Sequence, residues 1–119
     1  MARVLIVDDD TAIVESLVYV LEGTGYEVTT SEDGNFFKNG FFDSKPDVIL
    51  LDYWLPGENG GDITRKLKSI QETKDIPVII ISASYNVKEL VAKAGADDFL
   101  AKPYDIDDIL HIVKKHLQN

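Results

Sequence analysis

Four stretches of this chain end in side chains that could do chemistry together. Asp8, Asp9 and Asp10 follow the apolar run Val4–Val7, and Asp52 follows Val48–Leu51. Ser82 follows Val78–Ile81, and Lys102 follows Phe99-Leu100-Ala101. Runs of this kind read as strands buried on both faces of a parallel sheet. In such a sheet ligands bind beyond the carboxyl ends of the strands, so these polar groups should meet at one rim. Two carboxylates about 4 Å apart repel by roughly 4 kcal/mol at an effective dielectric of about 20. Bringing Asp8 or Asp9 beside Asp52 therefore requires a proton or a bound cation. An oxygen-only donor set without His or Cys suits a hard divalent ion, and Mg²⁺ needs only one or two carboxylates plus water and a phosphate. Lys102 adds positive charge for an anion, and the Ser82 hydroxyl can donate to it. Together these groups describe a phosphoryl-transfer site with an aspartyl-phosphate intermediate. Alone, Asp8–Asp10 would read as a helix cap and a solvated acidic turn; Asp52 and Lys102 change that reading.

The elements that must position these residues alternate along the chain. After the first strand, Ile13, Leu17 and Leu21 recur at helical spacing, and Gly23 can stop the helix. Glu27–Thr30 is a weakly marked second strand. Ile63, Leu67 and Ile70 mark a helix after the third strand, and Val87, Leu90, Val91 and Ala94 one after the fourth, closed by Gly95. The last helix carries Ile106, Ile109, Leu110, Val113 and Leu117, with Asp107 and Asp108 in its first turn and Lys114 and Lys115 in its last, signs that suit the macrodipole. Residues 35–44 are the weakest stretch. There Phe36, Phe37, Phe41 and Phe42 surround Asn39-Gly40, and a second helix packing on the sheet is expected, with an exposed docking patch as the alternative. Alternation of strand and helix implies right-handed crossovers and an α/β fold, a doubly wound parallel sheet covered on both faces.

Composition narrows the classes. The 119 residues allow one domain, read as residues 1–119. With 12 basic against 21 acidic side chains, the net charge of −9 opposes contact with nucleic-acid phosphates. The absence of cysteine removes disulfides and thiol chemistry. No apolar run is long enough to span a bilayer. His111 and His116 lie on the last helix and read as surface residues.

The motifs VLIVDDD (4–10), DVILLDYWLPGENGG (47–61), PVIIISA (77–83) and AGADDFLAKPY (94–104), in this order and each at its own strand, resemble the receiver domain of two-component response regulators, including its single-domain, chemotaxis-regulator-like members. The resemblance implies a flavodoxin-like five-stranded sheet of order 2-1-3-4-5. It implies that Asp52 is the phospho-acceptor and that Asp9 is a direct Mg²⁺ ligand, with Asp8 acting through water and Asn59 offering its backbone carbonyl. Ser82 matches the switch hydroxyl, Lys102 the lysine of the Lys-Pro motif, and Phe99 the switch aromatic. A cis Lys102–Pro103 bond is implied as well. Such a domain is no enzyme beyond its own phosphorylation and dephosphorylation. Its implied partners are a sensor histidine kinase or phosphotransfer protein and an output protein or effector domain, with homodimerisation possible; its implied location is cytoplasmic. Two departures stand out. The interval from Ser82 to Phe99 is about two residues shorter than the family's usual spacing, and Phe99 lacks a tyrosine's hydroxyl. Trp54, two residues past Asp52, is expected to overhang the acyl phosphate beside the small Ser84. A metal-dependent phosphatase, a phosphate-independent adaptor and a flavin binder are the competing readings. The length leaves little room for a phosphatase cap, and the first strand–helix turn lacks the glycine-rich loop of a nucleotide binder.

Overall fold

A computed structural model describes residues 1–37, 41 and 44–117. Strands β1 (Arg3–Val7), β2 (Glu27–Ser31), β3 (Val48–Asp52), β4 (Val78–Ser82) and β5 (Asp98–Ala101) alternate with helices α1 (Thr11–Gly23), α2 (Gly60–Ser69), α3 (Val87–Ala94) and α4 (Ile106–Leu117). The strands form one parallel sheet of order β2-β1-β3-β4-β5, as the family resemblance implies.

Alternation along each strand assigns the two faces. Val4, Ile6, Leu50, Ile79 and Ile81 pack with Leu17 and Leu21 of α1 and Ile109 and Val113 of α4. Leu5, Val7, Ile49, Leu51 and Val78 face the other way, onto Ile63 and Leu67 of α2. Burying a side chain such as Leu21 or Leu67 contributes about 2 kcal/mol, which is why these runs tolerate almost no polar residue. A smaller cluster joins Ile80 to Val87 and Ala94 of α3, with Tyr53 and Phe99 against it.

The register brings the strand ends to within two residues of one another: Val7 pairs with Leu51, Asp52 with Ile81, and Ser82 with Ala101. Asp8, Asp52, Ser82 and Lys102 are consequently delivered to one rim.

The helices begin and end for local reasons. Asp10 caps α1 by accepting the Ala12 and Ile13 N–H groups, at 3.1 and 3.2 Å. Gly23 is the last residue of α1 rather than its stop; the backbone reversal falls on Gly25, at φ +101°. Gly95 closes α3 at φ +78°, as expected. The α3 helix is only eight residues long, consistent with the short Ser82–Phe99 interval.

The stretch around residues 34–44 departs from the expected helix. Gly34–Phe37 is a single 3-10 turn. Phe36 and Phe41 meet at 5.4 Å between ring centroids, and both pack on the α2 side of the sheet, so for these two rings the core reading holds. Asn39, Gly40 and Phe42 lie outside the described residues.

Candidate functional site

The rim is built from the loops after β1, β3, β4 and β5. The three consecutive aspartates take three different jobs. Asp10 turns away to cap α1. Asp8 is buried, and its Oδ1 accepts the Asp10 N–H at 2.9 Å. Asp9 is exposed at the mouth. Carboxylate oxygens of Asp8, Asp9 and Asp52 all lie within 4.8 Å of one another. Asp52 is 7% exposed, and the Lys102 Nζ donates to its Oδ1 at 3.1 Å. Lys102 is itself fixed by its N–H bond to the Ser82 carbonyl, at 2.9 Å, and the Lys102–Pro103 bond is cis.

Electrostatics confirms how crowded the rim is. Burial pushes the Asp52 carboxyl above the ordinary aspartate range, and the charges of Asp8 and Asp9 add to this; the Lys102 hydrogen bond only partly opposes it. Burial likewise raises Asp8, against the Asp10 N–H and the Lys102 charge. For Lys102 burial alone would lower the ammonium, but the bond and charge of Asp52 outweigh it and hold it above the ordinary lysine value. Burial pushes up the neighbouring Tyr104 hydroxyl too. Three carboxylates gathered around one ammonium make a site whose charge a divalent cation would balance. The donor set is all oxygen, so it fits Mg²⁺ better than a soft metal.

Ser82 is the last residue of β4 and only 1% exposed; its Oγ accepts the Ser84 N–H at 3.0 Å. Phe99 lies half-buried on β5 against the α3 cluster, beside Tyr53. Asn59 stands at the start of α2. Its side chain caps α2 by accepting the Asp62 N–H at 2.9 Å, and its carbonyl accepts the Ile63 N–H at 3.2 Å.

Further contacts at the site and beyond it come from the structure. The Trp54 Nε1–H donates to the Ser84 Oγ at 3.1 Å, tying the loop after β3 to the loop after β4. A Cβ on Gly60 would lie 2.9 Å from both the Asp52 carbonyl oxygen and the Tyr53 Cα, so only glycine lets α2 start this close to the end of β3. His116 is not a plain surface residue. Its Nε2 lies 2.8 Å from the Asp98 Oδ2, which also accepts from Lys115.

Comparison with known proteins agrees with this geometry. Residues 4–114 match the family model of the response regulator receiver domain. The chain is 35% identical over 120 residues to the DNA-binding dual master transcriptional regulator RpaA of Synechocystis sp., an alignment covering 99% of this chain and 50% of that protein. The chain spans about half the length of the curated relatives it matches. Chemotaxis protein CheY4 of Vibrio cholerae superposes with a TM-score of 0.88 at 28% identity, covering 98% of this chain and 99% of that one. The response regulator TrrA of Thermotoga maritima, solved in complex with Mg²⁺–BeF, gives 0.85 at 31% identity over 98% of this chain and 100% of its own. The chain belongs to the response regulator receiver domains of two-component signalling.

Proposed function

We propose that this receiver domain accepts a phosphoryl group onto Asp52 from a phosphohistidine of a sensor histidine kinase or phosphotransfer protein. The observation that carries this is the buried Asp52 carboxylate, bonded to Lys102 and grouped with Asp8 and Asp9 at the end of the sheet. Asp9 and Asp52, with Asp8 acting through water, would hold Mg²⁺, which when bound supplies positive charge for the carboxylates and the incoming phosphoryl oxygens. A Mg²⁺–BeF complex of the similar TrrA supports that choice of ion.

The chain's own groups do the rest. A carboxylate oxygen of Asp52 forms the bond to phosphorus while the P–N bond breaks, its electron pair leaving with the imidazole of the donor. Lys102 stays beside the new acyl phosphate and offsets its negative charge. The Ser82 hydroxyl, whose oxygen already accepts the Ser84 N–H, keeps its proton available for a phosphoryl oxygen. Water attack on phosphorus later restores the carboxylate and releases phosphate. The domain thus catalyses only its own modification.

The signal leaves through packing. Phe99 shares one cluster with Tyr53 and α3, so a change at the end of β3 or β4 is felt at α3. With no hydroxyl on Phe99, this switch works by rotamer and fit alone. The output is a contact with an effector protein or domain, or with a second copy of the chain. The charge of −9 opposes direct binding to nucleic acid by this segment. Among the described residues no helix is long and apolar enough to cross a membrane.

Acetyl phosphate with Mg²⁺ should add a single phosphate, observed as a mass increase of the intact chain. Chelating the metal should abolish it, and so should Asp52→Asn. Undiminished labelling of Asp52→Asn overturns the proposal.

A further inference from the structure

We propose that Trp54 is a positioning residue for the Ser82 hydroxyl and acts on it through Ser84; the inference rests on the roles given above to Asp52 and Ser82.

The Ser82 backbone is fixed by the sheet: it pairs with Ala101, and its carbonyl accepts the Lys102 N–H at 2.9 Å. What remains free is the rotation of its hydroxyl. A serine hydroxyl has one proton and two acceptor positions. The Ser84 N–H occupies one acceptor position at 3.0 Å and so restricts where the proton can point. Ser84 is held in turn at three places. Its N–H goes to Ser82, its carbonyl accepts the Val87 N–H at 3.2 Å, and its Oγ accepts the Trp54 indole N–H at 3.1 Å.

The indole is anchored at its other side. Its ring meets Tyr53 edge-on, with centroids 4.8 Å apart and planes at 80°. Burial does not explain this placement, because Trp54 is 63% exposed. The ring contact and the hydrogen bond hold it where it is. Trp54 stands two residues after Asp52. The chain Trp54–Ser84–Ser82 therefore starts on the loop of the acceptor and ends on the hydroxyl at the end of the neighbouring strand. The loop that carries the acceptor sets the loop that carries the donor. This is separate from shielding the acyl phosphate, which any large ring would do.

Two substitutions isolate the hydrogen bond. Trp54→Phe keeps a ring at the rim and removes the N–H; Ser84→Ala removes the acceptor. Phosphorylation by acetyl phosphate at saturating Mg²⁺ should slow about threefold to fivefold in each, the worth of one neutral hydrogen bond. Mg²⁺ affinity, measured by calorimetry, should not change, since the carboxylates are untouched. The double variant should be no slower than either single one. In a Ser82→Ala background neither substitution should slow the reaction further, a result that loosened folding would not give. Wild-type rates in both single variants, additive losses in the double variant, or an undiminished loss in the Ser82→Ala background would each overturn the assignment. If the wild type takes up no phosphate at Asp52, the underlying reading fails first; normal wild-type labelling with an unaffected Trp54→Phe removes the positioning role alone.

Discussion

Asp8 and Asp52 sit where carboxylates are hardest to keep ionised. Both have folded-state pKa values raised, burial being the largest cause for each. The folded state therefore holds these protons more tightly than the unfolded chain, and the linked stability, present below the ordinary aspartate value, is lost as pH rises through the raised values. Metal-free protein should thus grow less stable over that interval. Asp8→Asn keeps an oxygen for the Asp10 N–H, flattens the dependence, and should raise metal-free stability near neutral pH by about 1 kcal/mol, read by thermal melting. Mg²⁺ should then stabilise the wild type more than the variant; an equal shift in both would remove Asp8 from the ion's surroundings. Trp54 gives a second test at this scale. Its bulk beside Asp52 should slow water's approach to the acyl phosphate, so Trp54→Ala should shorten the phosphoryl lifetime several-fold, measured by decay after the donor is removed. An unchanged lifetime rejects the steric shield. The sequence marked these residues because each polar group interrupts its chain directly after a strand. It could not divide labour within Asp8–Asp10: three identical side chains are sorted only by the turn after Val7, which aims one at the N–H groups of α1 and leaves two at the rim. Nor could it show that the Asn59 side chain caps α2 by accepting the Asp62 N–H.

At the scale of elements, β5 and α4 are joined by a cluster at the end away from Lys102. Burial would raise the Asp98 carboxyl, but the hydrogen bonds from His116, the Phe99 N–H and Lys115 outweigh it and hold it below the ordinary aspartate range. The sign is opposite to that at the rim. This contribution is present above the unfolded value of aspartate and disappears as pH falls through the depressed folded value. Wild-type stability should consequently drop more steeply in acid than that of Asp98→Asn, compared by denaturant midpoints; parallel curves would dismiss the cluster as a fastening. Capping offers a second element-scale prediction. Asp10→Ala should cost about 1 kcal/mol by freeing two N–H groups of α1, with Asp10→Ser recovering most of it. Legibility also varies by element. The buried strands were plain because a parallel sheet covered on both faces admits only apolar residues. The stretch after β2 was not: paired phenylalanines at 36–37 and 41–42 recur every five residues, which matches neither the helical period nor alternation. A 3-10 turn at Gly34–Phe37 is the result, with Gly34 so close to Glu58 that an added Cβ would lie 2.7 Å from its Oε1.

For the molecule as a whole, strand order and function are one fact. The five parallel strands end within two residues of one another, so four loops with nothing in common but their position after a strand bring the carboxylates of Asp8, Asp9 and Asp52, the Ser82 hydroxyl and the Lys102 ammonium to one rim. The same arrangement sets α3 beside Phe99 and Tyr53, the packing through which the proposed switch would reach a surface. This depends on Asp52 being the residue that is modified. An acyl phosphate is reduced by borohydride to an alcohol, so trapping the phosphorylated domain and mapping its peptides locates the phosphoryl group directly. The account predicts homoserine at position 52 in protein treated with acetyl phosphate and Mg²⁺, and none when the metal is chelated. Homoserine at another aspartate, or at position 52 without regard to metal, would contradict it.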